Sequence, residues 1–129
     1  MKIVDPMRVY VNSKGGSTEV CTVQSAVVLA TVGTDRSLVA AVAGKVHRLM
    51  GWIIESESRT DMTRVYFHNG AGATRGIALD AAVANLIAAP TRQPITESGY
   101  GECDVNTALV CDVATSDAYI TVFFITYTA

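Results

Sequence analysis

The sequence predicts an all-β fold, an antiparallel β-sandwich or jelly roll of about eight strands that follows an N-terminal arm. Valine, isoleucine and threonine account for 39 of the 129 residues, and such β-branched side chains fit a pleated sheet better than a helix. Short apolar runs recur every ~8–12 residues between turn signals, a spacing typical of sandwiches. Half of the residues are hydrophobic and 17% are charged, which is enough apolar surface for one packed domain of ordinary size.

Residues 1–16 are predicted to form the arm, and residues 17–129 a single sandwich domain. Within the arm, residues 7–11 are expected to pair as a short strand, and Lys14-Gly15-Gly16 is expected to turn because glycine adopts positive φ without strain. The segment is mildly basic. It either lies in solvent or lies on an acidic neighbour, and in the second case the docking residues are Lys2, Arg8, Tyr10 and Lys14.

Strands are predicted over residues 18–23 and 26–32, followed by a turn at residues 33–35. The next segment, residues 37–55, has two interpretations. Asp35 could cap a helix, but Gly44 would then lie within it at a cost of about 1 kcal/mol. Two strands joined at Gly44-Lys45 are therefore favoured, the second of which places on one face Val46, Met50, Trp52 and Ile54.

Residues 63–68 read as a strand that ends at the turn Asn69-Gly70. A short strand is expected at residues 76–79. Residues 81–89 fit either a helix or a turn followed by a strand at residues 85–89, and the pattern does not decide between them.

Residues 102–113 alternate strictly between two faces, which predicts a half-buried strand or hairpin. One face carries Cys103, Val105, Thr107, Leu109, Cys111 and Val113. The three cysteines, with Cys21 as the third, form an odd set without a C-x-x-C spacing. We therefore expect neither a disulfide framework nor a zinc site, but buried free thiols in a protein made in a reducing cytoplasm.

The final strand, residues 118–128, is apolar on both faces. Ile120, Val122 and Phe124 line one face, and the other face carries Tyr119, Phe123, Ile125 and Tyr127. A strand of a single sandwich has one core face, so the second face needs another cover, such as a neighbouring subunit. Although tyrosine and threonine also tolerate solvent, Tyr119, Phe123, Ile125 and Tyr127 are predicted to form an oligomer interface.

The sequence predicts no catalytic, metal or cofactor site. Its two histidines, His47 and His68, lie in predicted strands without a nearby histidine or carboxylate in a metal-ligand spacing. A net charge of −2 and scattered basic residues argue against nucleic-acid binding. No uncharged apolar stretch reaches the ~18 residues of a membrane span, and the N-terminus has no apolar signal-peptide region.

The segment Ser37-Leu38-Val39-Ala40-Ala41-Val42-Ala43-Gly44-Lys45-Val46-His47-Arg48-Leu49-Met50-Gly51-Trp52 resembles small structural proteins of tailed bacteriophages. These carry a strand pair of the type Val-Ala-Ala-Val-x-Gly-Lys-x-x-Arg-Val-x-Gly-Tyr. The later strand and polar turn at residues 65–70, the segment 101–105 and a last strand ending in tyrosine at residues 119–127 extend the likeness over residues 25–128. Residues 81–94 and the arm depart from it.

The family is similar to capsid decoration (cement) proteins and to minor head and tail components. The resemblance implies a jelly roll or related sandwich without catalysis, often a homotrimer, that binds the major capsid protein on the virion surface after synthesis in the host cytoplasm. A tail-fibre type receptor- or glycan-binding module is the second hypothesis, with Trp52, Tyr66 or Tyr100 as candidate contacts. A small hydrolase or metal enzyme is the third.

Overall fold

The structure, a computed structural model, describes residues 8–12, 18–70, 79–83, 85, 90–96 and 99–128. These residues form an all-β fold of antiparallel sheets packed as a sandwich, as the composition predicted. Eleven strands are found where about eight were expected, since several are short. They are β1 (Arg8–Asn12), β2 (Thr18–Thr22), β3 (Gln24–Ala30), β4 (Gly33–Val39), β5 (Lys45–Ser56), β6 (Thr63–Asn69), β7 (Leu79–Val83), β8 (Thr91–Gln93), β9 (Gly101–Glu102), β10 (Leu109–Ala114) and β11 (Ala118–Thr128).

Two main sheets and a hairpin make three layers. Sheet I has the strand order β4-β10-β6-β7, and sheet II has the order β3-β11-β5-β8, with β9 also paired to β5. Strands β1 and β2 form a separate antiparallel hairpin. The boundary predicted between arm and domain, at residues 16 and 17, thus falls between two paired strands, and the expected strand at residues 7–11 is observed as β1.

The main core lies between sheets I and II. Inward side chains from both sheets are buried together because each strand presents one apolar face, at alternate positions, to the opposite sheet. Trp52 on β5 contacts Phe67 on β6 with ring centroids 5.1 Å apart, which joins the two sheets at the centre. The largest fully buried members are Leu49, Ile54, Phe67, Leu109 and Ile120.

A β-bulge lets β5 serve two cores. Phe123 of β11 is paired with Gly51, but Phe124 is paired with Leu49, so Met50 is an extra residue on β5. An extra residue reverses the alternation of faces along a strand. Trp52 and Ile54 therefore point into the main core, while Val46 and Met50 point to the other side of sheet II. The prediction that these four side chains share one face is wrong for this reason.

Residues 37–55 are strand–turn–strand, as favoured over the helix. Gly44 makes the turn possible with a φ of +73°, a value that costs side-chain-bearing residues strain. The predicted turn at residues 33–35 is wrong, because these residues begin β4. Their path is nonetheless irregular, since Asp35 adopts a φ of +54° and the register with β10 shifts nearby.

Residues 102–113 form neither one strand nor a hairpin. The first part stays with sheet II, where the N–H groups of Cys103 and Asn106 donate to carbonyls at the start of β5. Asn106 then takes a φ of +62°, and the chain crosses to sheet I as β10. Val105, expected inside, is 43% exposed in this connection. Residues 81–83 belong to β7, so they form neither the helix nor the turn that the pattern allowed for the start of residues 81–89. Apart from β7 and Asn85, residues 76–89 lie outside the described residues.

Candidate functional site

The hairpin β1–β2 covers the second face of the terminal strand. Val9, Val11 and Cys21 point from the hairpin towards sheet II, where they form a second buried cluster with side chains of β5 and β11, namely Val46, Met50, Ile125 and Tyr127. The second face is therefore apolar for the reason inferred from the sequence, that it is covered. At this end of β11 the cover comes from the same chain and not from a neighbouring subunit.

The four residues predicted as an oligomer interface fall into different environments. Ile125 is fully buried and Tyr127 is 5% exposed beneath the hairpin, so neither side chain is accessible to a partner in this conformation. Phe123 is half-buried at the margin of the second cluster. Tyr119, at 42% exposed, is the member that presents a large surface.

The predicted docking residues of the arm are described in part. Arg8 and Tyr10 are exposed on β1, whereas Lys2 and Lys14 lie outside the described residues. Tyr10 is 74% exposed and stands directly opposite Val20 of β2, itself half exposed. This pair points away from sheet II, because the alternate positions on the hairpin face inward.

A second exposed apolar pair lies on the same side of the molecule. Leu29 of β3 faces Tyr119 of β11 across the ladder, and Val27, two residues earlier on β3, is 73% exposed. Cross-strand neighbours on one face lie close enough to act as a single contact surface. Together with the hairpin pair they define what we call the outer apolar face: Tyr10, Val20, Val27, Leu29 and Tyr119.

Polar contacts hold the hairpin in place. The Glu19 carboxylate accepts a hydrogen bond of 2.8 Å from the backbone N–H of Thr128 at the end of β11. This bond, together with the nearby Lys45 ammonium, lowers the pKa of Glu19. Next to it, the Arg48 guanidinium binds Glu102 and lies 5.2 Å from the centre of the Tyr127 ring. The edge of the second cluster is thereby closed by charged groups.

The three cysteines are free and buried, which agrees with the sequence prediction. Burial raises the pKa of Cys103 and of Cys111 to about 12, and it also raises the pKa of Cys21. The thiolate is the reactive form of cysteine, so burial favours the less reactive thiol form of these side chains in the folded protein.

His47 is a satisfied core residue. Its Nδ1 lies 2.8 Å from the Thr126 hydroxyl and its Nε2 lies 2.8 Å from the carbonyl oxygen of Ala40. Both ring nitrogens thus have partners, as buried polar groups require.

His68 lies in a cluster with Asp35 and Asp112 that was not predicted from the sequence. Its Nε2 is 2.9 Å from Oδ1 of Asp112 and 3.5 Å from Oδ1 of Asp35. The backbone N–H of Asp35 also donates to Oδ1 of Asp112. Partial burial raises the pKa of Asp112, but the hydrogen bonds from Asp35 and His68 outweigh it and leave that pKa below its usual value. These residues are far apart in sequence and meet because β4, β10 and β6 are neighbours in sheet I.

An open groove of about 520 Å³ begins beside Asp112. Tyr66, one of the aromatic residues considered for ligand contact, lines it. Of the other two, Trp52 is almost fully buried in the main core, and the Tyr100 hydroxyl donates to the carbonyl of Pro94. The remaining lining is mixed in polarity and consists of Val32, Gly33, Thr34, Arg64, Asp112, Val113, Ala114 and Thr115.

Two further observations concern the chain as a whole. Among the residues that the structure describes, no helix is long and apolar enough to cross a membrane. In comparisons with known proteins, no protein-family model, curated protein or solved structure matches this chain.

Proposed function

We propose that this protein is a non-enzymatic virion structural protein, a capsid decoration (cement) protein that binds the major capsid protein and stabilises the head of a tailed bacteriophage. The observation that carries the proposal is the outer apolar face. Large side chains exposed singly are ordinary on protein surfaces, whereas grouped ones mark interaction sites. Here they are paired across two ladders on one side of the sandwich.

The packed cores beneath the outer apolar face make it suitable for docking. Each exposed pair stands on strands whose opposite face is packed into a core, so the contact surface is held in one conformation before a partner arrives. Such a surface loses little conformational entropy on binding. The Glu19–Thr128 hydrogen bond also fixes the position of the hairpin that carries Tyr10 and Val20.

Self-association forms part of the proposal. A homotrimer presents its outer apolar face to several capsid subunits at once, and simultaneous attachment raises the effective concentration of each contact. Tyr119 is proposed to lie at an interface, either between two subunits of the trimer or between a subunit and the capsid. The buried free thiols agree with synthesis in a reducing host cytoplasm, with the finished protein on the virion surface.

The test is sedimentation of the purified chain with heads assembled from the major capsid protein encoded in the same genome. We expect saturable binding, heads that withstand higher temperature, and a mass near three times 13.7 kDa by light scattering. Leu29→Asp places a carboxylate in the contact and is expected to weaken binding at least about tenfold. The matched control is Ser37→Asp, an exposed position on sheet I. Absence of binding to heads, or equal binding by both variants, would contradict the proposal.

The groove beside Asp112 favours a second candidate, a receptor- or glycan-binding module of a tail fibre. Sugar sites combine an aromatic surface with polar groups, and Tyr66, Thr34 and Arg64 line the groove together. Binding to a glycan array that Tyr66→Ala abolishes, without any binding to heads, would support this candidate over the first.

A further inference from the structure

We propose that Asp35, His68 and Asp112 bind a divalent transition-metal cation, with Zn²⁺ as the representative ion. The site lies on sheet I, on the side of the sandwich opposite the outer apolar face. The inference rests on these residues alone and is independent of the function proposed above.

The donor atoms already have the spacing of a coordination shell. One atom from each residue lies within 4.8 Å of the other two, and His68 Nε2 is 2.9 Å from Asp112 Oδ1 and 3.5 Å from Asp35 Oδ1. Bonds of ~2.0–2.2 Å in a tetrahedron place ligand atoms about 3.3 Å apart. The two distances from His68 Nε2 are within a few tenths of an ångström of this value, and the two carboxylate oxygens, at most 4.8 Å apart, would close around the same ion.

The donor types select the class of cation. One imidazole nitrogen with two carboxylate oxygens suits zinc and its first-row neighbours, whereas Ca²⁺ and Mg²⁺ prefer shells made of oxygen alone. Three protein donors leave one position of a tetrahedral ion for water or a ligand.

The imidazole ring of His68 makes few other polar contacts. The imidazole is fully buried, and its Nδ1 has no hydrogen-bond partner among the described residues. The polar contacts seen for the ring therefore all go to the two carboxylates through Nε2. A buried imidazole aimed at two acidic groups is an arrangement that a cation would complete, by replacing the hydrogen bond between Nε2 and Asp112.

The same geometry determines how an ion would reach the site and which strands it would link. The Asp35 side chain is 41% exposed and that of Asp112 is 27% exposed, so an ion can reach the site from solvent. Asp112 also lines the groove, so the groove reaches the edge of the cluster. Because the donors come from β4, β6 and β10, the ion would link three strands of sheet I.

The experiment is calorimetric titration of the full chain, freed of metal with EDTA, with Zn²⁺ at neutral pH, together with thermal melts. One ion per chain and a higher melting temperature are expected, with Ca²⁺ binding at least about tenfold more weakly. Asp35→Asn and Asp112→Asn should each weaken Zn²⁺ binding at least about tenfold. Asp61→Asn, an exposed carboxylate outside the cluster, is the matched control and should bind like the parent chain.

A second measurement separates this site from the cysteines. Co²⁺ bound to nitrogen and oxygen should give visible absorption without the near-ultraviolet charge-transfer band of a thiolate ligand. Asp35 is exposed, so its variant tests the site without disturbing the core. No saturable Zn²⁺ binding, binding that survives both asparagine variants, or a thiolate band in the Co²⁺ spectrum would overturn the proposal.

Discussion

Glu19 and Thr128, which are 109 positions apart in sequence, are joined by a 2.8 Å hydrogen bond from a backbone N–H to a carboxylate. The bond fastens β2 of the hairpin to the end of β11, beside the buried cluster that the hairpin covers. The hairpin is thus a third layer of the sandwich, and a polar hydrogen bond at its edge attaches it to sheet II.

This fastening predicts a pH dependence. The pKa of Glu19 is lowered in the folded state, chiefly by the Thr128 N–H. The stability that ionised Glu19 contributes to the fold is therefore fully present above the unfolded pKa of about 4.3, and it is lost as pH falls through the lower folded pKa. Glu19→Gln should therefore reduce the protection of the Thr128 amide from hydrogen exchange at pH 7, and the difference between variant and parent should vanish towards pH 2–3, to within experimental error. A difference that persists undiminished in acid would argue against the fastening.

The hairpin cover can be tested by truncating its buried side chains. Val11 is 5% exposed in the second cluster, and Val11→Ala removes two methyl groups, which should lower the free energy of unfolding by about 1–3 kcal/mol. Tyr10→Ala, at the neighbouring outward position, should change it by less than about 0.5 kcal/mol. Urea unfolding followed through the single tryptophan, Trp52, gives both values. Equal effects would mean that the hairpin does not cover sheet II in solution.

The bulge in β5 brings Gly51 against β8. A Cβ added there would lie 2.9 Å from the carbonyl oxygen of Gln93 and 3.2 Å from the amide of Ile95. Gly51→Ala should therefore displace β8 and destabilise the fold by about 1–3 kcal/mol. Gly44→Ala is the comparison, since no atom lies near its added Cβ and only the positive φ opposes it, at about 1–2 kcal/mol. Crystal structures of the two variants should show movement of β8 in the first alone.

The buried thiols predict slow chemical modification. Cys103 and Cys111 have a pKa of about 12 because of burial, so thiolate is scarce at pH 8 and reagents have little access. The native chain should release almost no chromophore from a disulfide reagent, and the chain in denaturant should release three equivalents, one for each cysteine. Rapid modification of one thiol in the native chain would identify a site that opens locally.

Much of the fold was predictable from local chemistry. The cost of placing Gly44 within a helix favoured two strands joined by a turn, and the apolar character of both faces of residues 118–128 indicated a strand covered twice. The bulge at Met50 was not predictable, because an inserted residue is decided by the partner strand and by the space that Gly51 leaves for β8. The crossing at Asn106 was missed since the alternation of residues 102–113 continues through it.

The cluster around His68 shows a different limit. Its two acidic partners lie on other strands, 44 residues away for Asp112 and 33 for Asp35, and only the order of sheet I brings them together. Ligands this far apart along the chain leave no spacing motif in the sequence. Within the outer apolar face, Tyr10 and Tyr119 were predicted as contact residues. Val27 and Leu29 were not, because their exposure depends on where the hairpin stops covering sheet II.

The three-layer arrangement has a consequence for synthesis. The hairpin is synthesised before the strand that it covers, because β11 follows it by about a hundred residues. Until β11 is made, Val9, Val11 and Cys21 have no complete surface to pack on, and β5 lacks the strand with which it pairs. The emergence of β11 is therefore the event that closes the second cluster, and a nascent chain halted before residue 118 would expose the apolar inner face of the hairpin to chaperones or to another copy.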